Sequence, residues 1–427
     1  MGNRSIRNMS MRPVFSSLGS NYTAADSWYS LAGLFLSRFF PTLVTQQYSQ
    51  IKTYFDATYE GETFFFYKGR DAIECALRAS EVSSNDAVIT QAFACYAVEE
   101  AIHRSGAEVV YADIAEKTSN LSLETIKAAQ KQSSKPVKAV IVQYSLGCSL
   151  DTEAIAQWCK HNDIILIEDL AQGLGAKTFS GNEAGMVGDI TIFSFGRDKM
   201  LDSVTGGACC LRTQSQREIT KTAKWYATLE KPAVSMALTI QHLYPLVTIC
   251  IRGSFRWGIG PVTVGKVLAF LAKKIGLLPT PLHAETSSAS LFPLSFTLLL
   301  AHQIDGLEAS LAHRRKIAQL YNQAFGNSAA TFNQSVLEEG SYLRYPILVS
   351  NPTLIASKLA KRHIYVSDRW YRAAVDCSTL QCSSSYERGS AHRAERLAQR
   401  VLNLPTHRYI TVEGAEQIVA AVQAAHS

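Results

Sequence analysis

Short, continuously apolar runs alternate with helix-patterned segments between residues 60 and 213. This alternation narrows the fold more than any other feature of the chain. "DAVIT" (86–90), "EVVYADI" (108–114), "VKAVIVQY" (137–144), "IILIED" (164–169), "DITIFSF" (189–195) and "GGACCLRT" (206–213) read as strands. "GRDAIECALRAS" (69–80), "AVEEAIHRSG" (97–106), "LSLETIKAAQKQ" (121–132) and "DTEAIAQWCKHND" (151–163) carry apolar residues at helical spacing. Strands that are apolar without a break are buried on both faces. The pattern therefore predicts an α/β chain with a mostly parallel central sheet flanked by helices. Ligands of such sheets bind beyond the carboxyl ends of the strands.

The remaining segments suggest boundaries. Residues 1–58 read as an N-terminal arm or helical lead-in, 59–290 as a large domain and 291–427 as a long helix followed by a smaller C-terminal α+β domain. The long helix is expected over 298–325, with His313-Arg314-Arg315-Lys316 on its solvated face. An apolar insertion at about 230–285 is broken by Pro232, Pro245, Pro261 and Pro279. Its most apolar part, 236–251, contains Gln241, His242 and Pro245 and is short for a bilayer span, so a buried or interfacial helix is expected. Membrane contact through 236–276 is open but not expected.

With 427 residues, of which 47% are hydrophobic and 18% charged, the chain can bury a large core. The net charge of +6 is spread thinly and argues against nucleic acid as a partner. Nine scattered cysteines without a C-x-x-C spacing suit a reducing, cytoplasmic compartment and neither a disulfide framework nor a zinc site. The first residues show neither a signal-peptide core nor a myristoylation pattern, so no targeting segment is expected.

Two polar residues stand where the topology places a ligand. Asp169 ends the strand "IILIED", and Lys199 follows the strand "DITIFSF". A primary amine and a carboxylate at neighbouring strand ends suit pyridoxal phosphate. Its aldehyde takes the amine, and its ring nitrogen needs an acid partner. Ser194 can reach the phosphate, Gly69, Arg70 and Asp71 open a helix whose free amides suit an anion, and Gln172 can contact the ring oxygen. On spacing alone the alternatives stay open: a strand-end aspartate often caps a turn, and a loop lysine is usually solvated.

"IILIEDLAQGLGA", "GDITIFSFGRDKM" and "TGGACCL", in this order, resemble the DegT/StrS-type sugar aminotransferases, a branch of the fold-type-I pyridoxal phosphate enzymes. Residues 60–213 carry the resemblance closely and 290–427 more loosely. It implies that Lys199 forms the Schiff base and moves protons. It implies further that Asp169 pairs with the ring nitrogen, Gln172 contacts the ring hydroxyl, and Ser194 binds phosphate beside Gly69 and Arg70. The implied reaction moves an amino group from an amino-acid donor, glutamate, to a keto sugar linked to a nucleotide. The implied assembly is a homodimer with active sites at its interface. A different acceptor, or a non-catalytic relative serving as scaffold or regulator, are the alternatives.

Three departures from the family pattern bear on the site. Lys68-Gly69-Arg70 stands where the family has Ser-Gly-Thr, leaving Arg70 as a phosphate partner or merely a helix-start residue. The aromatic expected to stack on the ring falls on Cys95, which leaves Phe93 and Tyr96 as neighbouring candidates for stacking or for core packing. The family's Asn-Tyr-Arg loop is not visible before residue 290. Arg369, Trp370 and Tyr371 are candidates for the substrate entrance or for a surface aromatic cluster.

Overall fold

The computed structural model describes residues 13–233, 235–259, 262–278, 288–326, 332, 339–366, 370–376 and 384–426. Its centre is a seven-stranded sheet of β1 (Glu62–Phe66), β2 (Ala87–Gln91), β3 (Glu108–Ala112), β4 (Val137–Gln143), β5 (Ile165–Asp169), β6 (Ile190–Ser194) and β7 (Gly207–Leu211). The order is β1-β7-β6-β5-β4-β2-β3. The five strands from β2 to β6 are parallel, whereas β7 runs against both its neighbours. Alternate residues of each strand enter different cores. Val88, Ile141 and Ile167 pack under helices Gly69–Ala79 and Tyr96–Ser105, while Ile89, Val140 and Leu166 pack under Leu123–Gln130 and Thr152–His161. Burial on both faces explains the unbroken apolar runs.

Two helices, Ala24–Phe39 and Pro41–Thr58, precede the sheet. Thr23 and Asp26 form a capping box at the first, with the Thr23 amide 2.7 Å from Asp26 Oδ2. Phe55 of the second meets Phe65, Phe193 and Phe195 at ring distances of 5.5, 5.0 and 5.6 Å, so the lead-in is part of the main core. The apolar insertion forms a helix, Met236–Ser254, then a short hairpin and a second helix, Val264–Lys274. Among the described residues, no helix is long and apolar enough to cross a membrane.

The expected single helix over 298–325 is instead two, Thr297–Asp305 and Leu307–Phe325, meeting at Gly306. Glycine weakens a helix interior, and this one lies at a junction where the helices can change direction. The smaller α+β unit follows. Its strand Arg344–Leu348 pairs antiparallel with Val401–Pro405, and helices Pro352–Ala360, His392–Arg400 and Val412–His426 complete it. Two short parallel pairings join this unit to the rest: Val14–Phe15 with Ile364–Tyr365, and Ala94–Cys95 with Val375–Asp376.

His242 ties the insertion to the lead-in. Its ring is fully buried, with Nδ1 2.8 Å from the Ser30 carbonyl and Nε2 2.9 Å from Ser295 Oγ, and it stacks on Phe296 at 3.9 Å. Burial pulls its pKa down to about 4. The unfolded chain, with an ordinary histidine, therefore binds a proton that the folded chain refuses between about pH 6.5 and 4. Stability tied to His242 is full above that window and is lost as pH falls through it. Urea unfolding at pH 7 and pH 4.5 is expected to show wild type losing about 2 kcal/mol more than His242→Gln over this interval.

Candidate active site

Adjacent strands β5 and β6 end on the same edge of the sheet, and Asp169 pairs with Ile192 across them. Alternation separates the two acids of "IED". Glu168 points into the fold, where it accepts from Tyr144 Oη at 2.7 Å and from the amides of Gly185, Val187 and Gly188 at 2.9, 2.9 and 2.6 Å. This carboxylate is saturated by the protein and is structural. Asp169 is only 5% exposed, yet it accepts from the Ala171 amide at 2.9 Å through a single oxygen. Burial pushes its carboxyl up, and the Ala171 amide and Lys199 pull it back. A cationic ring nitrogen is the partner that such a carboxylate suits.

Lys199 is partly buried in the turn after β6, with its Nζ 4.9 Å from the centre of the Trp370 ring. Burial holds its ammonium below the usual lysine range. The Arg344 guanidinium acts in the same direction, while Cys95 and Asp169 oppose it. A lysine shifted this way has more neutral amine for attack on a carbonyl. Arg344 is itself buried, 4.1 Å from the Trp370 ring. Nothing in the sequence pattern singled it out, because its strand reads as ordinary small-domain core.

The turn that carries Lys199 is clamped from beneath by the lead-in. Asn21 Nδ2 donates to the Lys199 carbonyl at 2.8 Å, and Arg314 Nη2 donates to Asn21 Oδ1 at 2.8 Å. Arg314 also donates to the Leu343 carbonyl and Thr406 Oγ1, both at 3.0 Å. Asp202 accepts from the Asp198 and Val204 amides at 2.8 and 3.0 Å and from the Tyr22 hydroxyl. Asp198 adopts a left-handed φ of 62°, which aspartate tolerates better than most residues. Arg197 stacks over the Tyr244 ring at 4.7 Å. The expectation of a solvated His313–Lys316 face is corrected here. Arg314 is 2% exposed, and Arg315 donates to the Gly175 carbonyl at 2.8 Å, because this helix runs between two cores.

At the other end, β6 ends at Ser194 beside the helix that Gly69 opens. A Cβ added at Gly69 would lie 3.1 Å from Ser194 Oγ, and one added at Gly207 would lie 2.7 Å from the Gly69 backbone. These glycines leave a cradle of helix-start amides beside a hydroxyl, the geometry of an anion site. Lys68 precedes the cradle, its pKa lowered to about 8 by burial and then by Arg70. Arg70 itself is ion-paired with Glu100. A saturable carboxylate, a lysine and an anion cradle on one sheet edge fit pyridoxal phosphate.

The other predicted residues lie in the surrounding wall. Gln172 accepts from the Leu146 amide at 2.7 Å and donates to Tyr371 Oη at 2.6 Å. Phe93 is fully buried and meets the Tyr371 ring edge-on at 5.1 Å, whereas Tyr96 is partly buried at the start of its helix. The pairing of Ala94–Cys95 with Val375–Asp376 brings this segment of the small unit to the sheet edge. Arg369 lies outside the described residues.

The sequence pattern of the DegT/DnrJ/EryC1/StrS aminotransferase family matches residues 63–233 and 296–423. A "pleiotropic regulatory protein" of Geobacillus stearothermophilus is 35% identical over 148 residues, 35% of this chain and 39% of that one. A GDP-perosamine synthase of Vibrio cholerae is 28% identical over 168 residues, 37% of this chain and 45% of that one. The chain thus spans less than half the length of these two curated relatives. Among solved structures, the pyridoxal phosphate form of a sugar aminotransferase from Streptococcus pneumoniae, described as putative, superposes with a TM-score of 0.66. It has 20% identity and covers 89% of this chain and 91% of that one. At that identity the likeness concerns the fold.

Asn21 offers a test of the clamp. Asn21→Ala removes the donor to the Lys199 carbonyl and the acceptor for Arg314. It is expected to lower stability by about 1–3 kcal/mol, read from the urea midpoint of the cofactor-free chain.

Proposed function

The chain belongs to the DegT/DnrJ/EryC1/StrS aminotransferase family, and from that premise we propose that it moves an amino group from an amino-acid donor to the keto group of a nucleotide-linked sugar. The observation that carries this reading is the placement of a half-buried lysine and a buried aspartate with one hydrogen bond at neighbouring strand ends. The name of the Vibrio relative, a GDP-perosamine synthase, supports a nucleotide-linked sugar as acceptor. Glutamate as donor rests on the family resemblance.

Pyridoxal phosphate, when bound, supplies a ring that accepts the electron pair left when the donor's α-carbon loses its proton. Asp169 would hold the ring nitrogen protonated so that this charge has somewhere to go. Ser194 and the amides opening helix Gly69–Ala79 would hold the phosphate, and Lys68 would supply the opposing charge. Arg70 enters this role less well, since Glu100 engages its guanidinium. Lys199 would tether the cofactor through Nζ and would hold and move the proton at the donor's α-carbon. Trp370 would exclude water from the lysine, and Arg344 would draw a substrate carboxylate toward it. Gln172 would act through Tyr371, fixing the wall over the ring. The exposed aromatic face of helix Ala24–Phe39, with Trp28, Phe35 and Phe39, suits a second copy of the chain, in keeping with a homodimer.

The test follows the two half-reactions separately. Protein loaded with pyridoxal phosphate is expected to lose its visible absorbance on addition of glutamate and to recover it with a keto sugar on a nucleotide. Lys199→Ala is expected to slow both by about a thousandfold or more. An absorbance that glutamate leaves unchanged would favour the second reading, a cofactor-binding regulator, which the name of the Geobacillus relative supports.

The phosphate assignment has its own readout. Lys68→Met is expected to weaken retention of pyridoxal phosphate by about tenfold or more on dialysis, as a charge-assisted contact is lost. Arg70→Met is expected to leave retention within about threefold and to lower stability instead, because its partner Glu100 is left alone.

A further inference from the structure

Helix Val264–Lys274 is amphipathic the wrong way round for a helix of a soluble core. Its inward face is small. Gly265 and Ala272 are buried, and a Cβ on Gly265 would lie 2.2 Å from the Phe255 ring. Its large apolar residues point out: Val264, Val267, Leu268, Leu271 and Ile275 fall at spacings of three or four along one exposed stripe. Phe270, 67% exposed, flanks the stripe, and Trp257, 60% exposed, stands beside the hairpin that leads into the helix. The arrangement buries little and displays much.

Along this segment of the sequence the charges have one sign. Arg256, Lys266, Lys273 and Lys274 are exposed, and no aspartate or glutamate occurs between Glu230 and Glu285. A two-fold contact with a second copy would set these cations against themselves, with no acid from this segment to offset them. A surface of lipid phosphates is of the opposite sign. Exposed tryptophan and phenylalanine beside lysines are what an interfacial helix presents to headgroups and the outer acyl chains.

We propose that Trp257 and helix Val264–Lys274 form a peripheral docking surface for an anionic lipid bilayer. The helix lies in the plane of the interface with Val267, Leu268, Phe270 and Leu271 inserted and the lysines among the headgroups. It does not span. The docking requires neither the catalytic assignment of Lys199 nor any particular acceptor.

Co-sedimentation of the full, cofactor-loaded chain with vesicles tests this, together with light scattering for oligomeric state. Vesicles of equal parts phosphatidylglycerol and phosphatidylcholine are expected to bind it, and pure phosphatidylcholine vesicles to bind at least about tenfold less. Phe270→Glu with Leu271→Glu, and separately Lys266→Glu with Lys273→Glu, are each expected to weaken binding by about tenfold or more without changing the oligomeric state. These side chains are exposed, so folding is expected to survive, and far-ultraviolet circular dichroism checks it. No binding to the anionic vesicles, or binding that both variants leave intact, overturns the proposal. A change of oligomeric state in Phe270→Glu with Leu271→Glu also overturns it and assigns the face to a second copy.

Discussion

The hydrogen bond from Asn21 to the Lys199 carbonyl is the contact on which the rest of the site depends. A lysine that must meet a cofactor cannot be fixed by its own amine, so its backbone has to be fixed instead. Here the support comes from three distant parts of the chain. Asn21 belongs to the lead-in, Arg314 to the helix between the cores, and Thr406 and Leu343 to the small unit. Because Arg314 is buried with its charge, its hydrogen bonds to Asn21 Oδ1, Thr406 Oγ1 and the Leu343 carbonyl hold all three parts in one arrangement. Asp202 does the same for the other side of the turn, its carboxyl raised to about 7 by burial and then by Asp198.

The electrostatics of the site follow from strand alternation. Glu168 and Asp169 are neighbours in sequence and opposites in environment. One receives four hydrogen bonds and serves the fold; the other receives one. The same burial that raises Asp169 depresses Lys199. Both groups are thereby moved toward neutrality, and a cationic ring between them would restore the aspartate's charge without restoring the lysine's.

Much of this was legible in residue patterns. The unbroken apolar runs marked a sheet covered on both faces, and the strand-end positions of Asp169, Ser194 and Lys199 marked its edge. The Arg314 clamp was not legible, since a cluster reading His-Arg-Arg-Lys looks solvated unless the second core beside it is known. Gly306 hid a helix break because the apolar periodicity runs through it almost unchanged. Trp370 and Tyr371 could be suspected but not placed. Their position depends on the parallel pairing of Ala94–Cys95 with Val375–Asp376, which joins segments about 280 residues apart and leaves no local signal.

The departures from the family pattern are connected. The turn at 68–70 carries lysine and arginine, and the sequence holds no Asn-Tyr-Arg triplet. A phosphate bound at the Gly69 cradle would need a cation nearby, and Lys68 precedes that cradle with its charge weakened by burial. A bound phosphate would raise that pKa again, so cofactor binding and lysine protonation reinforce each other. In the insertion, helix Val264–Lys274 packs on Met236–Ser254 and buries Gly265 and Ala272, while Val267, Phe270, Leu271 and its lysines stay exposed.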